Sequence, residues 1–300
     1  FVTGICGRLG SAIASEASTQ GHTVVGLDMQ PWLSGTTPPT GVETTVGSFE
    51  DMALIERLMK SCDAIIHTAG PHGEYVKKLS LAEFLHYNVE SAACLLEIAL
   101  RVGIRHVVLS STMEVLMGRD WTTSGAVVVD EDFPPRTDSA YSLSRLLQEQ
   151  LGREFSRRHG ISIASLRYMA FDYSKDAELG LTLLARSVGV RDTARAVILA
   201  ATKEGLAGDV FHVGPKTPLT NGDIIAAFSN PGAVLEKYYP GATAIAKARG
   251  LKVTSDYFWP VTSIRKARLM LGWEPLYTFE KWLTENGWKP PSTLESSKSQ

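Results

Sequence analysis

The sequence predicts an α/β chain built on a doubly wound parallel sheet, followed by a smaller, irregular C-terminal region. Three observations lead there. Short β-branched runs alternate with longer segments of helical period. Glycines stand where helical patterns stop, as at Gly103 and Gly160. A glycine cluster lies where the first strand gives way to the first helix.

Taken in order, Phe1-Val2 reads as the end of a first strand, and such a strand needs several residues before Phe1. A helix is expected over 9–20, then strands over 23–27 and 43–46, a helix over 52–61 and a strand over 64–67. The clearest helix covers 81–102, with Leu81, Phe84, Leu85, Val89, Ala92, Leu95, Leu96 and Ala99 on one stripe. A strand over 106–110, a second strong helix over 141–159, a strand over 161–166, a helix over 193–201 and a strand over 210–213 complete the alternation. Beyond Val213 the chain is interrupted by Pro215, Pro218, Pro231, Pro240, Pro260 and Pro275. That portion is expected to be an irregular cap with helices over 263–271 and 279–288, ending in a disordered tail over 289–300.

With 300 residues, 44% of them apolar and 21% charged, the chain can bury a sizeable core, which excludes a disordered or fibrous protein. Thirty Lys and Arg against 32 Asp and Glu leave a net charge of −2 and no basic block, so nucleic acid is not an expected partner. The longest apolar stretches, around 107–109 and 196–201, fall far short of the roughly 18 to 20 residues of a membrane span. Cys6, Cys62 and Cys94 are scattered and odd in number, so neither a disulfide framework nor a metal site is expected, and a reducing, cytoplasmic setting is. No histidine falls at metal-ligand spacing, and the G-x-S-x-G elbow of a hydrolase is absent from the sequence.

The glycine cluster is Thr3-Gly4-Ile5-Cys6-Gly7-Arg8-Leu9-Gly10, spaced G-x-x-G-x-x-G. Glycines there allow a tight turn, close backbone approach to a pyrophosphate and close packing of helix on strand, the Rossmann-type arrangement. Asp28 ends the second predicted strand, where its carboxylate can accept from ribose hydroxyls and repel a 2′-phosphate. NAD is therefore the expected cofactor.

The chain resembles the extended short-chain dehydrogenase/reductase family, its NAD-dependent epimerase/dehydratase group. The likeness rests on the glycine motif, Asp28, Asp63-Ala64-Ile65-Ile66-His67-Thr68-Ala69-Gly70, Tyr87-Asn88-Val89, Val107-Val108-Leu109-Ser110-Ser111-Thr112, Tyr141-Ser142-Leu143-Ser144-Arg145 and Leu271-Gly272-Trp273-Glu274-Pro275, all in the family's order. The resemblance implies a cofactor-binding part over 1–170, completed by about 193–214, and a substrate-binding part from 171–192 and 215–288. It implies that Gly4, Cys6, Gly7, Arg8, Leu9, Gly10, Asp28, Ser48, Phe49, Thr68, Ala69, Gly70, Asn88, Ser110, Ser111, Tyr141, Arg145, Tyr168 and Met169 serve the cofactor, Asn88 by steadying the active-site helix. Thr112 becomes the hydroxyl that orients substrate, and Tyr141 the acid/base. The spacing agrees: Tyr141 and Arg145, four apart, share one helix face, where a fixed cation favours a phenolate.

Three positions depart from the family pattern. Arg145 stands where Lys is usual, keeping the charge but unable to pass a proton along a relay. Leu116 replaces a Tyr, and Ser48 replaces an Asp that meets the adenine. In Ser111-Thr112-Met113-Glu114-Val115, Met113 cannot supply the acid that a 4,6-dehydratase needs; Glu114 is either a substrate group or a solvated loop carboxylate. The short stretch between Phe171 and Val190, and Pro134-Pro135-Arg136-Thr137-Asp138-Ser139, look more like the uronate dehydrogenase branch, which oxidises free sugar acids. Pro71, His72, Glu114, Arg167 and Arg186 are candidate substrate contacts, with Arg167 or Arg186 as a carboxylate clamp; for Arg167, pairing with a structural carboxylate is the competing reading.

The expected function is hydride transfer between nicotinamide and a secondary alcohol or lactol of a small sugar or sugar acid. Two alternatives stand beside it: a nucleotide-sugar epimerase with tightly held NAD, and a weakened NAD-binding sensor or scaffold. A homodimer through helices 81–102 and 141–159 is implied by the likeness.

Overall fold

In the computed structural model, which describes residues 1–32, 36–119, 127–171 and 180–290, seven strands form one parallel sheet. They are β1 (Val2–Thr3), β2 (Val24–Asp28), β3 (Val42–Val46), β4 (Ala64–His67), β5 (His106–Thr112), β7 (Ser162–Tyr168) and β8 (Ala207–Val213), in the order β3-β2-β1-β4-β5-β7-β8. The chain winds one way from β1 to β3 and the other way from β4 to β8. The crevice at the carboxyl ends between β1 and β4 is where such sheets bind ligands. A separate ladder pairs β6 (Val128–Val129) with β9 (Val261–Thr262).

Helices cover both faces of the sheet. On one lie α1 (Arg8–Thr19) and α6 (Val190–Ala201), over a cluster that includes Ile5, Ile13, Val108, Leu166 and Phe211. On the other, α2 (Met52–Met59), α4 (Ser91–Val102) and α5 (Ala140–His159) close over Ile55, Leu95, Leu109 and Ile163. A third cluster, with Leu183, Ile224, Phe258 and Trp282, forms the core of the C-terminal part.

Strands β5 and β7 run to Thr112 and Tyr168, two residues past the expected ends at 110 and 166. The polar pair Ser111 and Arg167 interrupts the apolar run that marks each strand in the sequence, but the full ladder from His106↔Ser162 to Thr112↔Tyr168 carries it along. Strand β8 begins earlier than expected, at Ala207, where Gly208 at φ +77° lets the backbone pass close to Arg153 of α5.

Two expectations are corrected. The stretch 81–102 is not one regular α-helix: α3 (Leu81–Leu85) passes through a π-turn (His86–Glu90) into α4. The turn shifts the helical phase, so Asn88 is fully buried where Val89 was expected to be, and Leu81 at the start of the stripe is 45% exposed. The region after Val213 is more regular than expected, with three helices besides those expected over 263–271 and 279–288. It holds α7 (Asn221–Ser229), α8 (Pro231–Tyr238), α9 (Ala242–Ala248), α10 (Arg265–Leu271) and α11 (Phe279–Glu285). Its prolines and glycines mark boundaries rather than breaks: Thr220 caps α7 with a reciprocal Asp223 box, Asn230 caps α8 with Pro231 in its first turn, and Gly241 turns the chain into α9 at φ +88°.

Asp192 fastens this C-terminal part to the sheet. Its carboxylate accepts from the backbone N–H groups of Leu276 and Tyr277 at 2.9 Å each and from Arg195 Nη1, while its carbonyl receives the Trp273 indole N–H at 2.9 Å. This lock joins the first turns of α6 to the Leu271-Gly272-Trp273-Glu274-Pro275 segment and the two residues after it. Of the expected disordered tail, residues 291–300 lie outside the described residues. Among the described residues no helix is long and apolar enough to cross a membrane.

Candidate active site

A cleft of about 1690 Å³ opens along the carboxyl ends of the strands. That exceeds the roughly 300–1,000 Å³ of a drug-sized pocket and leaves space for a dinucleotide with a second molecule beside it. Gly4, Gly7, Arg8, Leu9, Gly10, Asp28, Ser48, Phe49, Thr68, Ala69 and Gly70 line one end. Ser110, Ser111, Thr112, Glu114, Tyr141, Arg145, Tyr168, Met169 and Arg186 line the other, with Pro71 and His72 between. Cys6, Asn88 and Arg167 do not line it.

The glycine turn is shaped for close approach. Gly4 has φ +70°, and a Cβ on it would sit 2.9 Å from the Ala69 nitrogen; a Cβ on Gly10 would sit 2.1 Å from the Gly4 oxygen. Both spaces stay open only without a side chain. Gly7 begins α1 with no side-chain cap, so the first amide groups of that helix are left to an anion at the positive end of its dipole. Asp28 faces this turn, its Oδ2 accepting from the Cys6 N–H at 2.9 Å and its Oδ1 from the Gln30 N–H at 3.0 Å. Cys6 thus contributes backbone, and burial together with the Asp28 charge pushes its thiol pKa up. The uncapped helix start, the glycine cradle and Asp28 fit a dinucleotide with an unphosphorylated ribose.

His67 stacks on Phe49 with centroids 5.2 Å apart, and its Nδ1 meets Thr3 Oγ1 at 2.8 Å. Burial, helped by the Arg145 charge, lowers its pKa to about 3 and keeps it neutral. Ser48 is exposed, and its hydroxyl accepts from the Glu50 N–H at 3.1 Å. Two groups, one at each end of the cleft, carry no motif in the sequence. His86 of the π-turn bridges Glu90 (2.9 Å) and Glu50 (3.1 Å) across the mouth of this end, and Gln148 sits behind Arg145.

At the other end, α5 presents Tyr141 and Arg145 from one face, and a Ser139–Ser142 capping box fixes its start. Asn88 donates to Ser144 Oγ at 2.9 Å, and Ser144 Oγ donates to the Tyr141 carbonyl at 2.8 Å. Asn88 of the π-turn therefore grips the first turn of α5 from behind the cleft wall, while His86, Tyr87 and Glu90 of the same turn line the cleft. The Arg145 head lies 5.6 Å from the Tyr141 ring centroid and is 3% exposed. Thr112 Oγ1 accepts from the Glu114 N–H at 3.2 Å, holding the hydroxyl at the strand end. Ser110 Oγ meets the Tyr168 hydroxyl at 3.4 Å, and burial raises the pKa of that phenol. Glu114 is raised as well, by burial and then by the Asp138 charge. Leu116, where the family has Tyr, is fully buried in the core and does not line the cleft.

The clamp role suggested for Arg167 is corrected. Its Nε and Nη2 donate to the two Glu149 oxygens at 2.9 and 2.8 Å, and Ser111 Oγ donates to the same carboxylate. All three are buried, which commits Arg167 to a joint between β5, β7 and α5. Arg186 is exposed on the cleft wall. Among the described residues no group of three or more His, Cys, Asp or Glu could hold a metal ion.

The model of the NAD-dependent epimerase/dehydratase family matches residues 1–171. The chain belongs to this family. The epimerase/dehydratase fold and its NAD cofactor agree with the strand order and the glycine cradle described above. A UDP-glucose 4-epimerase of Azospirillum brasilense is 28% identical over 56% of this chain and 47% of its own length. A uronate dehydrogenase of Pseudomonas syringae pv. tomato is 26% identical over 56% of this chain and 57% of its own. The chain thus matches about half the length of both curated relatives. Among solved structures, MoeE5 in complex with UDP-glucose and NAD superposes with a TM-score of 0.68 at 21% identity, covering 99% of this chain and 98% of that one.

Proposed function

We propose that this family member is an NAD-dependent dehydrogenase of a small sugar acid, oxidising a secondary alcohol or lactol. The observation that carries the reading is Arg186: an exposed guanidinium on the wall shared by Thr112 and Tyr141, while Arg167 is consumed by Glu149. A carboxylate is the natural guest for such a group. When bound, NAD supplies the hydride acceptor. Thr112 holds the substrate oxygen, Tyr141 takes its proton, and the Arg145 cation favours the phenolate that results. The uronate dehydrogenase relative supports the substrate class.

A screen of uronic acids against the matching neutral sugars and UDP-glucose, followed through NADH absorbance, tests this. Turnover of a uronic acid with stoichiometric NADH, lost by about a hundredfold or more in Tyr141→Phe, is the expected result. Interconversion of UDP-glucose without NADH release would instead establish the epimerase reading, which the size of the cleft and the epimerase relative favour. NAD binding with no turnover of any of them would leave the sensor.

We also propose a homodimer through the stretches 81–102 (α3, the π-turn and α4) and 141–159 (within α5). Its support is the exposed apolar side chains of Leu81, Tyr87 and Leu147 on these elements. Light scattering at micromolar concentration should give twice the chain mass, and a monomer overturns it. Cys6, Cys62 and Cys94 are free thiols, which suits a reducing, cytoplasmic setting.

A further inference from the structure

The arginine at position 145 comes with a fitted partner. Arg145 Nη1 donates to the Ser110 carbonyl at 3.1 Å and to Gln148 Oε1 at 3.0 Å, which uses both of its hydrogens. Gln148 is 1% exposed and one helical turn further along α5. Because guanidinium has no acceptor, the amide must turn its oxygen towards Arg145. The planar head is thereby fixed, and Nη2 is left against Gly70, where a Cβ would lie 3.4 Å away.

We propose that Gln148 is a positioning residue that anchors one arm of Arg145 so that the other faces the cleft, making arginine rather than lysine the working cation of this site. A lysine ammonium is a point charge on a flexible stem and offers no second arm for Gln148 to hold. The Arg145→Lys change, although it restores the residue usual in the family, therefore cuts the cation loose from its anchor. Gln148 matters only while arginine occupies position 145.

The catalytic part of this inference rests on the dehydrogenase reading; its NAD-binding part does not. A double-mutant cycle separates them. Gln148→Met keeps the length and apolar stem while removing the acceptor, and Gln148→Asn is a second variant with the acceptor withdrawn. NAD affinity is measured calorimetrically on the folded chain, and kcat and KM are measured on whichever sugar acid turns over. In the native background Gln148→Met should weaken NAD binding about fivefold and lower kcat about tenfold, with KM for the sugar acid changed less than about twofold. In the Arg145→Lys background the same change should alter each value less than about twofold, and Arg145→Lys alone should lower kcat. Additive effects on NAD affinity, or a rise in kcat in Arg145→Lys, overturn the proposal. Coupling in NAD affinity without turnover of any sugar supports the anchor and rejects the dehydrogenase reading instead.

Discussion

The two ends of the cleft are held by different means. At the dinucleotide end the turn that faces the ligand is backbone, with the Asp28 carboxylate beside it, and it is kept clear by glycines whose missing side chains would strike main-chain atoms at 2.1 to 2.9 Å. At the substrate end the wall is side chain: Glu114 follows β5, and Phe171, Arg186 and Pro260 come from segments beyond the core strands. A ligand held by backbone is lost when an atom is added, and one held by side chains is lost when an atom is removed. The buried Ser111–Glu149–Arg167 joint ties together β5, β7 and α5, the elements that carry Ser110, Thr112, Tyr141, Arg145 and Tyr168, on which cofactor and substrate both depend in the proposed reading.

Breaking that joint should erase the distinction, and it carries the largest expected effect. Glu149→Gln leaves a buried guanidinium without its counter-charge, at a cost of about 3–5 kcal/mol. Thermal denaturation should show the loss, and NAD and substrate binding should fall together. Gly10→Ala comes next and should act on one end only. Its Cβ meets the Gly4 oxygen, a main-chain atom that cannot swing aside, so the turn must shift at a cost of about 1–3 kcal/mol. Titration should show NAD affinity reduced by roughly ten- to hundredfold, while the C-terminal core stays folded. Arg186→Ala is the converse test. It should raise KM for a uronic acid by about tenfold and leave NAD affinity unchanged, since a charged hydrogen bond contributes about 1.5–3 kcal/mol before solvent screening. If NAD affinity drops as much as KM rises, the two ends are not separate.

The same division explains what the sequence made legible. Backbone recognition needs glycines at fixed spacing, so Gly4, Gly7 and Gly10 could be read with Asp28 before any fold was known. Tyr141 and Arg145 could be read because a helix places residues four apart on one face. Gln148 went unseen for lack of a rule relating it to an arginine one turn earlier; an arginine where lysine is usual was the one signal to look for a matching acceptor. Arg167 read two ways because a strand-end arginine does not reveal its partner; Glu149, eighteen residues earlier on α5, decides it. The π-turn at His86–Glu90 escaped because its apolar pattern fits an ordinary helix except for the buried Asn88. Of the helices after Val213, α10 and α11 are legible from their apolar spacing, whereas α7, α8 and α9 are not, because the prolines and glycines at their boundaries read as interruptions.

The smallest expected effect lies at the dinucleotide end, where an exposed side-chain bridge flanks the glycine turn. His86 reaches Glu90 on its own helical stretch and Glu50 on the loop before α2, so it straps the mouth beside Phe49. Hydrogen bonds that the ring donates to Glu90 first, then to Glu50, raise its pKa above the ordinary 6.5. A raised histidine pKa means that the strap is fully charged below that ordinary value and is lost as pH rises through the folded one. NAD affinity, to the extent that the strap shapes the mouth, should decline gently as pH rises above the ordinary 6.5, and added salt should flatten the decline because the groups are exposed. In His86→Gln, which hydrogen-bonds without charge, affinity at the upper end should match the native chain and the slope should vanish. A slope that survives in His86→Gln would place its origin in another titrating group. A fall in affinity as large as that of Gly10→Ala would mean that side chains, and not the glycine turn, hold this end of the cofactor.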